Sequence, residues 1–371
     1  MFVVDADAHV MESEATWDHL DPEWRAHRPI PLVFDQDTVY QQWNAVWLIE
    51  GRAHPKMTGR GWHIFATPVQ QAAAQAKSAA IGAQTLTDVP ARLADMDRAG
   101  IQVQVILPSL FLTNLAEDVR LEGALCRSYN RFLAQACSQI GGRLKFVAVL
   151  PWRDVDGARQ VLREAHDLGA VAAMAHGLVY DRPLGDATFD PLFADLSDRG
   201  LPLAVHFGWG APALTKMFDD RPSAFSGGLM PVVMAFYTMM ATGVFERFPS
   251  LKVAYLEAGS EWLPYALRRL HSRYERGALG ALRRPPEEYL RAGNIYLACE
   301  GEEDIPYVLE FIGDDQLVMA SDYPHVDPTS EEDMVSAIAG RPDLTPAVAE
   351  KILSANPLRL YNLPVPAAVA R

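Results

Sequence analysis

The stretch Asp190-Pro-Leu-Phe-Ala-Asp-Leu-Ser-Asp-Arg-Gly-Leu-Pro-Leu-Ala-Val-His206 joins a predicted helix directly to a predicted strand. An acidic residue with a proline next to it begins the helix Asp190–Arg199, and Gly200 ends it, as is typical of helix termini. The apolar run Leu201–Val205 then has the composition of a strand that is buried on both faces. This stretch therefore predicts one helix-to-strand step of an α/β protein.

The same alternation recurs along the whole chain. Helical stretches with a capping aspartate and a terminal glycine, such as Asp88–Gly100 and Asp154–Gly169, separate the apolar runs. Eight such runs are the predicted strands: Phe2–Ala6, Ile101–Leu107, Leu144–Leu150, Ala170–Ala175, Leu201–Val205, Leu251–Leu256, Asn294–Cys299 and Gln316–Ala320. Eight repeats of strand and helix predict a (β/α)₈ TIM barrel.

The first connection of this barrel is much longer than the others. About 75 residues separate His9 from the next regular barrel helix, whereas loops of this kind are usually short. It leaves the end of the first strand, the face where barrel active sites form. A cap over the pocket and a peripheral subdomain that buries its own aromatic rings both remain open. We predict one domain, 1–371, with a cap insertion at about 12–86, which contains Trp17, Trp24, Trp43, Trp47 and Trp62.

The composition excludes some classes of protein. The chain has 371 residues and a formal net charge of −14, without a Lys/Arg cluster, which argues against nucleic acid as a partner. Three cysteines, Cys126, Cys137 and Cys299, form no CxxC pair and leave an odd count. They indicate a reducing compartment. No signal-peptide pattern opens the sequence, so we expect a cytoplasmic protein.

One segment is long enough to cross a membrane. Pro222–Phe245 carries no charged residue. It nevertheless contains Gly227-Gly228 and Pro231, and it lacks flanking basic loops. We therefore predict a helix buried against the barrel and no membrane partner.

Residues of the types that bind metals follow several predicted strands. Asp7 and His9 stand two positions apart, so in an extended segment their side chains share one face. A carboxylate and an imidazole aimed at one point can hold a divalent metal. A single histidine in an apolar run is more often a satisfied core residue, but further such groups end other runs: His176, His206, Glu257, Glu300 and Asp322.

The chain also resembles the amidohydrolase-2 branch of the amidohydrolase superfamily, the group related to aminocarboxymuconate-semialdehyde decarboxylase. The resemblance covers nearly the whole chain and keeps the order of the family's motifs. The stretches that carry it are Asp5-Ala-Asp-Ala-His-Val, Leu201-Pro-Leu-Ala-Val-His, Gly243-Val-Phe-Glu-Arg-Phe-Pro-Ser-Leu-Lys-Val, Leu256-Glu-Ala-Gly-Ser-Glu-Trp-Leu-Pro, Ala320-Ser-Asp-Tyr-Pro-His and Asn356-Pro-Leu-Arg-Leu-Tyr-Asn-Leu.

The resemblance implies a metal-dependent (β/α)₈ barrel and a set of ligands. Two histidines and two carboxylates would bind one ion, which suits Zn²⁺ or Mn²⁺: Asp7, His9, His206 and Asp322. The family often has His-x-His where this chain has Asp7-x-His9. Many relatives also have a histidine near the metal where this chain has Glu257. That glutamate either performs general acid/base work with a raised pKa or has a structural role, bonded to backbone amides or to an arginine.

Two reactions fit such a metal site. The first is non-oxidative decarboxylation of an aromatic or unsaturated carboxylic acid, with Asp322 or Glu257 handling the proton. The second is hydrolysis of an amide, ester, lactone or C–C bond by metal-bound hydroxide. A catalytically inactive binding barrel is a third hypothesis. Residues predicted to contact a small-molecule substrate are Arg153, His176, Trp209 and His325. For His325 an orienting role toward Asp322, and for Arg153 a salt bridge at the rim, are the alternatives. The resemblance also implies a possible homodimer.

Overall fold

The computed structural model describes residues 1–33, 45–55, 79–139, 141–217, 228–325 and 333–364. Its strands are β1 (Val4–Val10), β2 (Ile30–Val33), β3 (Ala45–Ile49), β4 (Arg52–Pro55), β5 (Val103–Pro108), β6 (Leu144–Ala148), β7 (Ala172–His176), β8 (Leu178–Val179), β9 (Arg182–Pro183), β10 (Leu203–His206), β11 (Val253–Leu256), β12 (Ile295–Cys299) and β13 (Leu317–Met319).

Helices lie between the strands in the predicted alternation. The α-helices are α1 (Ile81–Gln84), α2 (Val89–Arg98), α3 (Val119–Ser138), α4 (Val155–Asp167), α5 (Asp190–Arg199), α6 (Pro212–Met217), α7 (Met230–Ala241), α8 (Val244–Arg247), α9 (Leu263–Glu275), α10 (Pro286–Arg291), α11 (Ile305–Ile312), α12 (Met334–Ala339), α13 (Pro346–Glu350) and α14 (Asn356–Leu360). Short 3-10 helices are Glu14–His19, Pro22–His27, Leu110–Leu112 and Ala187–Phe189, and Lys351–Ala355 is a π-helix.

Eight strands form one sheet in the order β1-β5-β6-β7-β10-β11-β12-β13. Strands β7, β10, β11, β12 and β13 pair in parallel, and β5 pairs in parallel with β6. These eight strands are the eight predicted runs, and helices connect them as the pattern requires. The predicted (β/α)₈ TIM barrel is therefore confirmed.

The helix ends predicted from capping aspartates and terminal glycines agree with those in the structure. The carboxylate of Asp88 accepts the amide proton of Ala91, and the carboxylate of Asp154 accepts that of Gly157, so both residues cap their helices. Gly200 ends α5 with a φ of 64°, a left-handed conformation that a glycine adopts at little cost. Local capping chemistry thus fixes where these barrel helices begin and end.

The predicted end of the first strand is wrong. The apolar run Phe2–Ala6 predicts an end at Ala6, but β1 continues to Val10, so Asp7 and His9 lie within the strand. All seven residues of β1 are buried. The two polar residues point to one face of the extended chain, and Ala8 and Val10 occupy the other. A buried polar pair therefore does not interrupt the strand when its side chains find polar surroundings.

The chain divides into two compact units. Unit 1 comprises Met1–Ala6, Val171–Ala320 and Asp333–Arg371, and unit 2 comprises Asp7–Ala170 and Ser321–Glu332. The prediction of a single domain over 1–371 stays a prediction.

In unit 1, helix α7 lies within the apolar segment that was long enough to span a bilayer, of which residues 222–227 are outside the described part of the chain. Its side chains Phe236, Met239 and Met240 are fully buried. Phe236 packs edge-on against Tyr255, with ring centroids 5.6 Å apart, and against Trp262 at 5.2 Å. Among the described residues, no helix combines the length and the apolar character needed to cross a membrane.

In unit 2, the connection after β1 has structure of its own. Strands β2, β3 and β4 form a small antiparallel sheet. The buried rings of Trp17 and Trp47 meet edge-on with centroids 5.9 Å apart, and Trp17 lies 6.2 Å from Phe111. Trp17 therefore packs both on a tryptophan of the insertion and on Phe111 outside it, and these contacts leave the cap and the subdomain interpretations open. Trp43 and Trp62 lie outside the described residues, so a cap over the pocket stays a prediction.

Candidate metal centre

Four buried ionisable side chains meet in unit 2, and we call them the acid–histidine cluster: Asp7, His9, Asp322 and His325. Two backbone hydrogen bonds join the strand that carries the first pair to the segment that carries the second. Asp322 N–H donates to Asp7 C=O at 3.1 Å, and His9 N–H donates to Tyr323 C=O at 2.5 Å. The cluster is therefore held by backbone as well as by side chains.

The imidazole of His9 is oriented by a carbonyl. Its Nδ1 lies 2.7 Å from Pro108 C=O. Because a carbonyl oxygen only accepts, Nδ1 carries a proton and donates it. The other nitrogen, Nε2, then faces two carboxylate oxygens, Asp7 Oδ1 at 3.3 Å and Asp322 Oδ1 at 3.2 Å. One nitrogen and two oxygens converge on a space where a cation would be stabilised.

The electrostatics of the cluster favour positive charge at this point. Burial alone would lower the pKa of His9, but hydrogen bonds and charges from Asp322 and Asp7 hold it well above its ordinary value. Burial alone would raise the pKa of Asp322, but the charges and hydrogen bonds of His325 and His9 hold it well below its usual range. The carboxylate of Asp322 is therefore ionised at neutral pH, and a cation at His9 Nε2 has two carboxylate partners.

Both ring nitrogens of His325 have partners within unit 2. Its Nδ1 lies 2.8 Å from Asp322 Oδ1, and its Nε2 lies 2.8 Å from the hydroxyl of Ser109. Its ring stacks on that of His9 with centroids 4.1 Å apart. Ligand-type atoms of His9, Asp322 and His325 all lie within 4.8 Å of one another. Because both nitrogens are already engaged, these contacts favour the orienting role predicted as the alternative for His325.

The sequence does not identify two further candidate residues, Ser109 and Glu12. Ser109 directly follows β5, and Glu12 contacts the segment after β5. Ser109 follows a predicted strand, yet its hydroxyl gave no recognisable motif. Glu12 stands three residues after His9, and its Oε2 accepts the amide proton of Leu110 at 2.7 Å. Burial raises the pKa of Glu12 from 4.5 to about 7, although the Leu110 amide and the charge of His9 oppose this. Both are polar residues within two positions of a strand end, and that position is the sequence signal that indicates them.

A buried arginine supports the backbone of the cluster. Arg92 is fully buried, and its Nη1 donates to His9 C=O at 3.0 Å. Its Nε donates to Gln104 Oε1 at 2.7 Å, and its guanidinium lies 4.0 Å from the centroid of the Tyr323 ring. Arg92 therefore holds the two backbone segments that carry the cluster.

In unit 1, the predicted ligand His206 faces the predicted catalytic residue Glu257. His206 is the last residue of β10 and is fully buried. Its Nδ1 donates to Phe207 C=O at 2.7 Å, and its Nε2 lies 3.2 Å from Glu257 Oε2. Glu257 thus contacts a histidine, a partner that neither sequence alternative named. Glu257 and Asp322 both have left-handed backbones, with φ of 49° and 55°, a strained conformation that concentrates at functional sites.

The loops after β11 and β12 share one carboxylate, which we call the Glu303 hub. Ser260 N–H and Glu261 N–H donate to its Oε1 at 2.5 and 3.0 Å. The Ser260 hydroxyl and Glu300 N–H donate to its Oε2 at 2.7 and 3.0 Å. Glu300, which ends a predicted strand, therefore takes part in this hub through its backbone.

Three predicted substrate contacts lie in different surroundings. His176 ends β7 and pairs in register with His206 on β10. The Trp209 ring packs edge-on against Phe207, with centroids 5.0 Å apart. Arg153, in unit 2, donates to Glu122 Oε2 at 2.7 and 3.0 Å and to two carbonyls. These contacts match the salt bridge that was the alternative interpretation of Arg153. A role of Arg153 in substrate binding stays a prediction.

Comparisons with known proteins identify the family of the chain. The amidohydrolase family model Amidohydro_2 matches residues 4–363. The 2-amino-3-carboxymuconate-6-semialdehyde decarboxylase of Dictyostelium discoideum is 23% identical over 282 residues, which are 74% of this chain and 77% of that protein.

Two solved structures are similar in fold. The amidohydrolase map2389c of Mycobacterium avium subsp. paratuberculosis K-10 has a TM-score of 0.78 and 22% identity, covering 97% of this chain and 99% of that one. A dihydroxybenzoic acid decarboxylase of Polaromonas sp. JS666, with bound manganese and the inhibitor 2-nitroresorcinol, has a TM-score of 0.62 and 22% identity, covering 73% and 85%.

Proposed function

Because the chain belongs to the amidohydrolase family, we propose that it is a metal-dependent enzyme that decarboxylates an aromatic or unsaturated carboxylic acid without oxidation. One observation carries the metal-dependent part of this proposal. His9 Nε2 lies within 3.3 Å of two buried carboxylate oxygens, while its other nitrogen is held by a carbonyl. That combination is the usual surrounding of a metal-binding histidine.

The donor set fits a divalent ion. Asp7, His9 and Asp322 supply two oxygens and one nitrogen from unit 2, and we propose His206, at the carboxyl end of β10, as the fourth ligand. Mixed imidazole and carboxylate ligands suit Zn²⁺ or Mn²⁺, and the Polaromonas decarboxylase contains manganese. When bound, the ion supplies positive charge that polarises an acidic group of the substrate.

The residues around this set would manage protons. In decarboxylation the bond between the ring or vinyl carbon and the carboxyl carbon breaks, CO₂ leaves, and the remaining carbon takes up a proton. The Asp322 carboxylate lies beside His325 and His9, and we propose that it passes a proton from a substrate hydroxyl to the carbon that loses CO₂. Glu257 is the second candidate for this transfer, and its contact with His206 at 3.2 Å ties it to the ligand set.

The substrate class is proposed from the relatives. Those matched include decarboxylases of aminocarboxymuconate semialdehyde and of dihydroxybenzoic acid, so a small acid with a conjugated or aromatic skeleton is the expected substrate. His176 and Trp209 are the proposed contacts to its ring. We further propose a cytoplasmic homodimer, which follows from the three free thiols and from the family resemblance.

The test is product analysis on metal-loaded protein. Purified protein would be loaded with Zn²⁺ or Mn²⁺ and incubated with 2,6-dihydroxybenzoate and related hydroxylated benzoates in ¹⁸O-labelled water. Release of CO₂ with no ¹⁸O in the aromatic product supports decarboxylation. In a parallel incubation with aryl amides, esters and lactones, incorporation of ¹⁸O into the cleaved product assigns hydrolysis instead. Asp322→Asn, prepared identically, is the control that separates enzyme from contaminant.

A further inference from the structure

We propose that Ser109 is a positioning residue, which fixes the orientation of the Asp322 carboxylate through His325. This inference rests on the proposed metal centre, since Asp322 is one of its ligands. The chain of contacts is short and continuous: Ser109 Oγ to His325 Nε2 is 2.8 Å, and His325 Nδ1 to Asp322 Oδ1 is 2.8 Å. All three residues are buried in unit 2, with exposed fractions of 3%, 7% and 3%.

The direction of the hydrogen bonds follows from the chemistry of the end group. An ionised carboxylate can only accept, so His325 Nδ1 must donate to Asp322. In the neutral ring Nε2 is then an acceptor, and the Ser109 hydroxyl donates to it. The serine therefore also selects the tautomer in which His325 points a proton at Asp322.

This contact limits the motion of a metal ligand. A carboxylate can rotate about its last bond, and Asp322 Oδ1 must face His9 Nε2, 3.2 Å away, to complete the proposed centre. His325 is clamped by Ser109 on one side and by stacking on His9 at 4.1 Å. Without the hydroxyl, the ring is held at one nitrogen only, and the carboxylate loses its fixed direction. Outer partners of this kind tune metal affinity by about 10- to 100-fold.

The order serine–histidine–aspartate is also that of a nucleophilic triad, and the structure argues against that use. A serine nucleophile commonly relies on the amide of the following residue to bind the oxyanion. Here Leu110 N–H, the following amide, donates to Glu12 Oε2 at 2.7 Å. Ser109 is 3% exposed, which leaves little room for attack on a substrate.

The test compares two isosteric variants, Ser109→Thr and Ser109→Val, which differ only in the hydroxyl. Zn²⁺ and Mn²⁺ dissociation constants would be measured by competition with a chelator, so no substrate is needed. We expect Ser109→Thr to stay within about twofold of the parent protein, and Ser109→Val to bind about tenfold more weakly or worse. Both variants add the same bulk, so a packing defect would affect them equally.

Repeating the two substitutions in the His325→Asn variant tests whether Ser109 acts through His325. In His325→Asn the hydroxyl has no ring to act through, so adding Ser109→Val or Ser109→Thr should give equal dissociation constants. Equal affinities of the two variants in the parent background would overturn the proposal, as would purely additive effects in the His325→Asn background. Labelling of Ser109 by a fluorophosphonate would assign it as a nucleophile and overturn it too. A parent protein that binds neither ion would remove the metal centre itself, whereas tight parent binding with no effect of Ser109→Val removes this inference alone.

Discussion

The acid–histidine cluster of unit 2 and the Glu303 hub of unit 1 use the same chemical group in opposite ways. In the hub, four N–H and O–H donors at 2.5 to 3.0 Å saturate one carboxylate. In the cluster, Asp322 Oδ1 instead meets two imidazoles, at 3.2 and 2.8 Å, and Asp7 adds a second carboxylate to His9.

The difference teaches how to tell a metal-binding carboxylate from a structural one. Three backbone amides and one hydroxyl donate to the Glu303 carboxylate, so its lone pairs are not available to a cation. Because these donors come from two loops, the hub joins the loops. Imidazole nitrogens and carboxylates can exchange a shared proton for a metal ion, so the cluster can bind one. Burial alone does not separate the two cases.

Asp322→Asn should have the largest effect. An amide cannot carry the negative charge that a metal ligand and proton acceptor supply, so we expect the rate of decarboxylation to fall by about 10² to 10⁴. The measurement is CO₂ release under saturating Zn²⁺ or Mn²⁺. A rate within about threefold of the parent protein would show that Asp322 has no part in the reaction.

Glu303→Gln should affect folding before chemistry. The amide NH₂ of glutamine would face at least one backbone N–H that it cannot accept from, and the remaining hydrogen bonds lose their charged acceptor, so the free energy of unfolding should fall by about 3 kcal/mol. Metal content should stay at the parent level. Urea unfolding with a parallel metal assay checks both, and loss of metal with unchanged stability would reverse the assignment of the two sites.

Glu12→Gln tests whether a third buried carboxyl group, near the cluster, makes the stability of the protein depend on pH. The pKa of Glu12 is raised from 4.5 to about 7, so between these values the folded protein holds a proton that the unfolded chain has released. Stability of the metal-free protein should therefore fall as pH rises through this window, by up to about 3 kcal/mol. Glutamine cannot titrate, so the variant should show a flatter profile in denaturant unfolding at pH 5, 6 and 7. Parallel profiles for the two proteins would show that Glu12 is ionised in the fold.

Arg153→Met should have the smallest effect. Its guanidinium pairs with the mostly buried carboxylate of Glu122 and donates to backbone carbonyls. These contacts stabilise the fold and do not require a substrate. Because this pair is mostly buried, we expect about 2 kcal/mol less stability and an unchanged KM, with Arg153→Lys between variant and parent. A KM raised about tenfold at unchanged stability would restore its predicted role in substrate binding.

The barrel could be predicted because its signals are local. Capping aspartates, terminal glycines and runs of β-branched residues each act within a few positions, so helices such as Asp190–Arg199 were predicted with their observed ends. The end of β1 was missed because Asp7 and His9 read as a break in an apolar run, whereas buried partners elsewhere in the chain let the strand continue.

The site was predictable in its residue types and not in its contacts. Asp7, His9 and Asp322 were found from strand ends and from resemblance, and the structure brings them together in unit 2. Ser109 meets His325, 216 positions away, and Glu12 meets Leu110, 98 positions away. No periodicity or spacing encodes such pairs, because the fold alone makes them neighbours. Glu257 likewise gained a partner, His206, that its own surroundings in sequence did not suggest.

Metal content tests the central claim most directly. Elemental analysis would compare the parent protein, Asp322→Asn and Glu303→Gln after identical purification and incubation with Zn²⁺ or Mn²⁺. We predict close to one ion per chain in the parent and in Glu303→Gln, and almost none in Asp322→Asn. Equal metal in all three proteins, or none in the parent, would contradict the assignment of the acid–histidine cluster as the metal centre.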